Sequence, residues 1–371
     1  MTQRIGVLTG GGDCPGLNTV IRSVVKAAAI RGWVTTGVLG GFEGLLEPIR
    51  ARRLDYHDMD GLLVRGGTVL GTTSSGPFTA RTGSGDERRV PAALLHQARA
   101  GLERLGVEAL VCIGGDGTLS IAQQLFEAGV PLVGVPKTID NDLEATVMTF
   151  GFDSAVACAV DALDRLATTA ASHQRVMVLE VMGRHSGWIA AYAGLAGGAD
   201  VILIPEIPFD YDSVCANISR REAEGKTHTL VIVAEGAHAV GAEPTLHPHA
   251  ADDDAGSERL GEARLGGIGA AVAREIARRT GKESRFVVLG HLQRGGSPSP
   301  MDRHLCTRFG ARAVELIEIG AFGQMVALHP PHVVAVPIAD AVGRIRRVPA
   351  DGELVRTARA IGVGFGRPVG A

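Results

Sequence analysis

Apolar residues fall along this chain in short unbroken runs, separated by stretches in which they recur every three to four positions. Unbroken runs fit strands buried on both faces, and the 3.6-residue period fits helices that cover them. A strand at Ile5–Leu8 ends in Gly10-Gly11-Gly12, and a helix from Asn18 to about Arg31 carries Val20, Ile21, Val24 and Val25 on one face. A second unit has a helix at Ala92–Leu105, a strand at Ala109–Ile113, the turn Gly114-Gly115-Asp116-Gly117 and a helix at Leu119–Ala128. The strand Pro131–Val135 runs into Lys137-Thr138-Ile139-Asp140-Asn141-Asp142. Beyond Gly151 the pattern restarts: a long helix at Ser154–Ala171, a strand at Arg175–Val181, then Gly183-Arg184-His185-Ser186-Gly187 and a helix at Trp188–Ala196. Strands at Val201–Ile204 and Leu230–Ala234 follow, then a polar surface loop at Gly241–Gly261. A helix at Gly269–Arg279, a strand at Phe286–Leu289 and the segment His291–Gly296 close the series. The prediction is an α/β protein of two similar three-layer α/β/α halves, each with a largely parallel sheet, joined near residue 150.

Composition narrows the function classes. The 371 residues allow two to three domains at about 150 each. Lys plus Arg is 37 against 40 for Asp plus Glu, a net charge of −3, which excludes the broad positive field of a nucleic-acid binder. No apolar run reaches the roughly 18 residues of a membrane span, and the N-terminus reads directly as a strand, without a signal-peptide core. Cys14, Cys112, Cys158, Cys215 and Cys306 are odd in number and lack CxxC spacing, so they read as reduced cytosolic thiols. The 51 glycines gather in short clusters at predicted strand ends, where backbone must turn tightly or approach a ligand.

Those clusters frame the candidate chemistry. In open α/β sheets ligands bind at the carboxyl ends of strands, where glycine lets amides converge on phosphate and the next helix adds its dipole. None of the turns is a Walker A loop, and none gives a clean dinucleotide fingerprint. Asp116, set among glycines, fits either a Mg²⁺ site beside phosphates or a helix N-cap. Asp140 and Asp142 share a face of an extended stretch, which suits a phosphoryl-transfer base or an Asx-rich turn. Arg175, Arg184, Arg285, His291 and Arg294 all sit next to strand ends. As a cluster they would suit a phosphorylated substrate, and singly they would be surface residues. Glu235 follows a strand and either accepts from sugar hydroxyls or pairs with an arginine.

The motifs together resemble the 6-phosphofructokinase family from about residue 4 to residue 320. They are Ile5–Thr9 with Gly11-Gly12-Asp13, Gly66–Gly71, Gly114–Thr118, Pro136–Asp142, His173–Arg175, Met182–Arg184, Ala234–Gly236, and Leu289–Pro298 with Asp302-Arg303. The resemblance implies transfer of a phosphoryl group to the 1-hydroxyl of fructose 6-phosphate, in a cleft between the halves. It implies a nucleotide and Mg²⁺ domain at 1–150 completed by about 293–343, and a sugar-phosphate domain at 151–292 completed by about 344–371. Gly11 and Gly115–Thr118 would hold ATP phosphates, with Ser74 and Ser75 also on the donor side, and Asp116 would hold Mg²⁺. Asp140 would accept the proton, with Thr138, Ile139 and Asp142 lining the site. Met182, Gly183, Arg184 and Glu235 would contact the sugar. Arg175, Arg285, His291 and Arg294 would bind its 6-phosphate, with Leu292 and Gln293 in the same segment. The counterparts of Arg175 and Arg285 come from a neighbouring subunit in the family, which implies a homodimer or homotetramer with shared sites.

Gly117 and Lys137 bear on the donor. By resemblance, glycine at the first favours ATP over pyrophosphate and lysine at the second is the pyrophosphate-type residue, so the signature is mixed. Gly117 carries more weight because it would sit against the nucleotide. Ser74 stands where the family usually has an arginine; either Arg81 of the same loop substitutes for it, or the protein is a slow or altered-specificity paralogue. Of the residues that form an effector pocket in regulated members, Arg22 and Lys26 match, whereas Tyr56 and Ala167 replace arginine. The leading expectation is an ATP-dependent, cytoplasmic 6-phosphofructokinase. The alternatives are a pyrophosphate-dependent enzyme, a kinase of a related sugar phosphate such as sedoheptulose 7-phosphate, and a weakened sensor of sugar phosphate or nucleotide.

Overall fold

Strands that read as unbroken apolar runs prove to be central strands of parallel sheets in a computed structural model that describes residues 3–73, 76–78, 89–245 and 265–367. Ser74, Ser75, Arg81 and the loop beyond residue 245 lie outside these described residues. The chain divides into two compact units: one comprises Met1–Ile139, Leu143–Ser154 and Arg294–Ile345, the other Asp140–Asp142, Ala155–Gln293 and Arg346–Ala371. Asp140 and Asp142 thus belong to the second unit, although the sequence reading put residues up to 150 in the first.

Among the described residues the first unit holds an eight-stranded sheet. Its strands are β1 (Arg4–Thr9), β2 (Val34–Val38), β3 (Ala51–Leu54), β4 (Ala109–Gly114), β5 (Leu132–Thr138), β6 (Phe150–Gly151), β11 (Gln324–His329) and β12 (His332–Pro337). They lie in the order β12-β11-β5-β4-β1-β2-β3, with β6 paired to β5. The centre is parallel, whereas the outer strands β3 and β12 pair antiparallel. Leu8, Leu110, Cys112 and Leu132 face helices α2 (Ala92–Arg104) and α3 (Asp116–Glu127) on one side. On the opposite face α1 (Leu17–Ile30) packs against α8 (Pro300–Glu318), where Ser23 donates to the Thr307 carbonyl at 2.6 Å. Their close approach needs Gly310, because a Cβ there would stand 2.6 Å from that of Ser23.

In the second unit the sheet is wholly parallel, in the order β10-β7-β9-β8. These strands are β7 (Val176–Val181), β8 (Val201–Leu203), β9 (Thr229–Ala234) and β10 (Ser284–Val288). Val176, Val178, Val201, Val231 and Val233 pack on α6 (Tyr211–Ala223) and α7 (Ile268–Thr280). Met177 and Leu230 face Ala170 and Leu166 of α4 (Phe152–His173), and Ile202 and Ile232 approach Gly194 of α5 (Trp188–Ala196). Each unit is therefore a sheet between helices, as the apolar periodicity predicts. The sequence reading did not anticipate the β11–β12 hairpin, α6, α8 or α9 (Glu353–Ala360). No described helix is long and apolar enough to cross a membrane.

Candidate active site

Three strand ends meet in the first unit. Strands β1, β4 and β5 are adjacent and parallel, with Thr9 opposite Ile113 and Gly114 opposite Pro136, so the turns that follow them emerge side by side. Gly10 donates to the Ile113 carbonyl at 2.9 Å, and Gly11 adopts a left-handed φ of 72°. Thr118 fills the space between these turns. A Cβ on Gly10 would lie 2.7 Å from its side chain, and one on Gly114 would lie 2.2 Å from its Cβ. Lys137 is buried to 4% exposure, and its ammonium donates to the Gly12 carbonyl. Arg294 donates to the Asp13 carbonyl at 3.2 Å. Gly11–Asp13, Thr118, Lys137 and Arg294 thus form one basic, glycine-walled constellation.

Helix α3 begins at Asp116, three residues earlier than its apolar pattern suggests, with Gly115 as N-cap. Its first-turn amides, at Asp116, Gly117 and Thr118, have no partners within the helix and suit an anion. Asp116 is not the N-cap. One carboxylate oxygen accepts from the Gly343 amide at 2.9 Å. With one oxygen so engaged, a single carboxylate here is compatible with a largely hydrated Mg²⁺ whose shell water and phosphate would complete. Two residues escaped the sequence reading. Buried Asn18 takes the carbonyls of Arg65 and Gly66, both at 3.1 Å, and accepts from the Val69 amide at 2.8 Å, fixing the Gly66–Val69 turn. Thr72 donates to the Gly11 carbonyl at 2.6 Å. An amide and a hydroxyl inside otherwise apolar or Gly-rich stretches were the available signals.

Thr138 ends β5 half-buried, whereas Ile139 is fully buried, with its side chain in the core. The second unit then takes Asp140–Asp142, with Asn141 left-handed at φ 52°. The Ser186 hydroxyl donates to the Asp140 carbonyl at 3.2 Å, which ties this turn to the loop after β7. Strands β7 and β9 end together: Glu235 donates its amide to Val181 at 2.9 Å and Gly236 to Gly183 at 3.0 Å. A Cβ on Gly236 would fall 1.9 Å from the Arg184 carbonyl, so only glycine lets these ends close. Burial first, and then the Asp140 carboxylate, push the Glu235 carboxyl up to about 7, with Arg184 opposing. Met182–Arg184, Ser186, Glu235 and Asp140 are therefore brought together. His291 and Leu292 are exposed on a 3₁₀ turn, Gly290–Arg294, while Gln293 is buried and donates to the Gly290 carbonyl at 3.1 Å.

Arg175 and Arg285 are not in this group. Arg175 precedes β7, and Arg285 pairs with Met177 near the start of the same strand. Both arginines contact the Glu283 carboxylate, at 3.4 Å and 2.9 Å. Met182–Arg184 follow the other end of β7, and at about 3.3 Å per residue the strand separates the two ends by about 20 Å. Among the described residues strand β10 is also an edge, and its Phe286, Val287 and Val288 are exposed by 49%, 37% and 47%.

Comparison with known proteins supplies the family. The phosphofructokinase family model matches residues 4–317. An ATP-dependent 6-phosphofructokinase of Chloroflexus aggregans is 53% identical over 365 residues, 98% of this chain and 98% of that protein. A pyrophosphate–fructose 6-phosphate 1-phosphotransferase of Amycolatopsis methanolica is 49% identical over 350 residues, 94% of this chain and 97% of that one. Among solved structures, Pichia pastoris phosphofructokinase in the T-state superposes with a TM-score of 0.78 at 28% identity, covering 98% of this chain and 37% of that longer one. With Gly-rich turns at the ends of β1 and β4 and the Thr138–Asp142 segment after β5 falling within the matched span, the chain belongs to the phosphofructokinase family.

Proposed function

We propose that this protein is an ATP-dependent 6-phosphofructokinase that transfers the γ-phosphoryl group of ATP to the 1-hydroxyl of fructose 6-phosphate. The observation that carries the reading is the constellation at the ends of β1, β4 and β5, continued along the chain by the Asp140 turn. The amides at the start of α3, the Gly11 turn and Lys137 receive the donor phosphates. Mg²⁺ at Asp116 would neutralise phosphate charge. Met182–Arg184 and Glu235 hold the sugar, and His291 and Arg294 its 6-phosphate. The Asp140 carboxylate accepts the proton of the 1-hydroxyl as that oxygen bonds to the γ-phosphorus and the bond to ADP breaks.

Arg175 and Arg285, at the far end of β7 and β10, serve the 6-phosphate of a neighbouring subunit, so the active form is a homodimer or homotetramer. The exposed apolar edge at Phe286–Val288 supports that assembly. All five cysteines are free thiols, in keeping with a cytoplasmic setting.

A second reading, pyrophosphate as donor, is favoured by Lys137, whose ammonium lies at the Gly11–Gly12 turn. One coupled assay separates the readings, with fructose 6-phosphate against sedoheptulose 7-phosphate and ATP against pyrophosphate. ATP-driven formation of fructose 1,6-bisphosphate is expected. Asp140→Asn should bind fructose 6-phosphate yet lose about 10²–10⁴-fold in kcat. No turnover with either donor would favour a sensor.

A further inference from the structure

The Asp140–Asp142 turn presents three successive backbone carbonyls, and each accepts from a named donor in its own unit. The Ser186 hydroxyl serves Asp140 at 3.2 Å, the Arg346 guanidinium serves Asn141 through Nη1 at 3.2 Å, and the Arg346 backbone amide serves Asp142 at 2.8 Å. Arg346 thus grips the turn twice, once through its side chain and once through its main chain. Its middle residue, Asn141, stands at φ 52°, a left-handed conformation that asparagine adopts more readily than other non-glycine residues, and the grip fixes the carbonyls on either side of it.

Arg346 is itself held. Its guanidinium lies 4.4 Å from the centroid of the Trp188 ring, a cation–π arrangement, and its carbonyl accepts from Trp188 Nε1 at 3.0 Å. Two residues on, the Val348 amide donates to Glu206 at 2.9 Å, and the same carboxylate accepts from the Gly187 amide at 3.0 Å. The segment Arg346–Val348 is therefore fastened to the start of α5, and Gly187 closes the loop that carries Met182–Arg184. Rigid attachment at this point matters chemically, since a displacement of about 1 Å in a reacting group costs up to 100-fold in rate.

We infer that Arg346 is a positioning residue for phosphoryl transfer, fixing the turn through which Asp140 is aimed at the acceptor hydroxyl. Its described contacts run to the backbone of Asn141 and Asp142 and to Trp188, and it acts on the chemical step through that backbone. The inference rests on the reading of Asp140 as proton acceptor, and its test is chosen to stand apart from that reading.

Arg346→Met keeps an aliphatic stem over Trp188 but removes the donor, whereas Arg346→Lys restores a cation and one donor. The Met variant should lose about 10- to 100-fold in kcat with both KM values within threefold of the parent, and the Lys variant should recover most of that loss. Hydrogen–deuterium exchange of the peptide spanning residues 138–146 should quicken in the Met variant and return toward the parent rate in the Lys variant, whatever the protein's reaction proves to be. An unchanged kcat in the Met variant, an effect confined to KM, or equal losses in Met and Lys would each overturn the role in positioning. Unchanged exchange would overturn the grip itself. If the Met variant fails to fold, the Lys variant decides alone, with a two- to fivefold fall in kcat at constant KM supporting the inference and a parental kcat sinking it. A parent with no phosphofructokinase activity would refute the proposed function and leave the exchange experiment to judge the grip.

Discussion

Thr118 shows how much one side chain can organise: it is buried where the Gly10 and Gly114 turns close, and any Cβ at either glycine would collide with it. One residue earlier, Gly117 sits half-buried in the first turn of α3. In Gly117→Asp a carboxylate would face the donor's own phosphates. ATP-supported kcat/KM is expected to fall about 100-fold, near 2.7 kcal/mol, with a smaller loss on any pyrophosphate activity. Equal losses with both donors would remove Gly117 from donor selection. Glu235 offers a pH test. Burial and Asp140 raise its carboxyl from 4.5 to about 7, so the folded protein binds this proton more tightly than the unfolded chain. The cost of ionising it therefore appears as pH rises from about 4.5 through 7, and stability falls across that window. Glu235→Gln should be relatively more stable than the parent at pH 8 and should lose that advantage near pH 4, by urea denaturation. If Glu235 holds the sugar as proposed, the variant's KM for fructose 6-phosphate should be higher than the parent's, most of all above pH 7, where an ionised carboxylate would accept sugar hydroxyls best.

At the scale of elements, two helix starts cap one another. Asp302, in the first turn of α8, accepts from the amides of Gly151 at 3.0 Å and Ser154 at 2.9 Å, and from the Ser154 hydroxyl at 2.6 Å. In return Ser299, the N-cap of α8, accepts from Asp302 and donates to Asp153 of α4, while its amide donates to Ser154 at 2.9 Å. Burial still lifts the Asp302 carboxyl to about 6 against these bonds. The knot holds β6, whose Phe150 and Gly151 pair with Lys137 and Thr138. Asp302→Ala would strand two amides in the core, and a loss of about 2–5 kcal/mol is expected in chemical denaturation. A loss below about 0.5 kcal/mol would show that the mutual capping contributes little.

At the scale of the whole molecule, β10 is the feature a lone chain does not explain. An edge strand with Phe286, Val287 and Val288 exposed is open to a second copy, and Arg285 on that strand is the residue proposed to serve the neighbour's substrate. Phe286→Glu should shift the sedimentation profile toward smaller species. It should raise KM for fructose 6-phosphate about tenfold or more as the neighbour's arginines depart. A variant with parental assembly and kinetics would move the interface elsewhere.

The central strands were legible in the chain because β1, β4, β5, β7 and β9 are buried on both faces and must read as continuous apolar runs. The Gly-rich turns at the ends of β1 and β4 were legible too, since a Cβ at Gly10 or Gly114 is sterically excluded by Thr118. Periodicity could not show which strands lie side by side. Arg175 opens and Arg184 follows the predicted strand, as the chain order requires, but only the parallel register of β10 on β7 puts Arg285 beside Met177, at the Arg175 end. Nor could local pattern find Arg346 or Asn18, whose partners lie up to 205 and 51 positions away. Such contacts form only when the chain folds back on itself, and a propensity that extends over a few residues carries no record of them. The apolar spacing therefore determined the central strands, and the glycine clusters and motifs at their ends marked the residues open to chemistry. Tertiary structure decided which of those residues meet, where the carboxyl of Glu235 titrates, and what holds the Asp140 turn in place, because burial and distance exist only in the folded state.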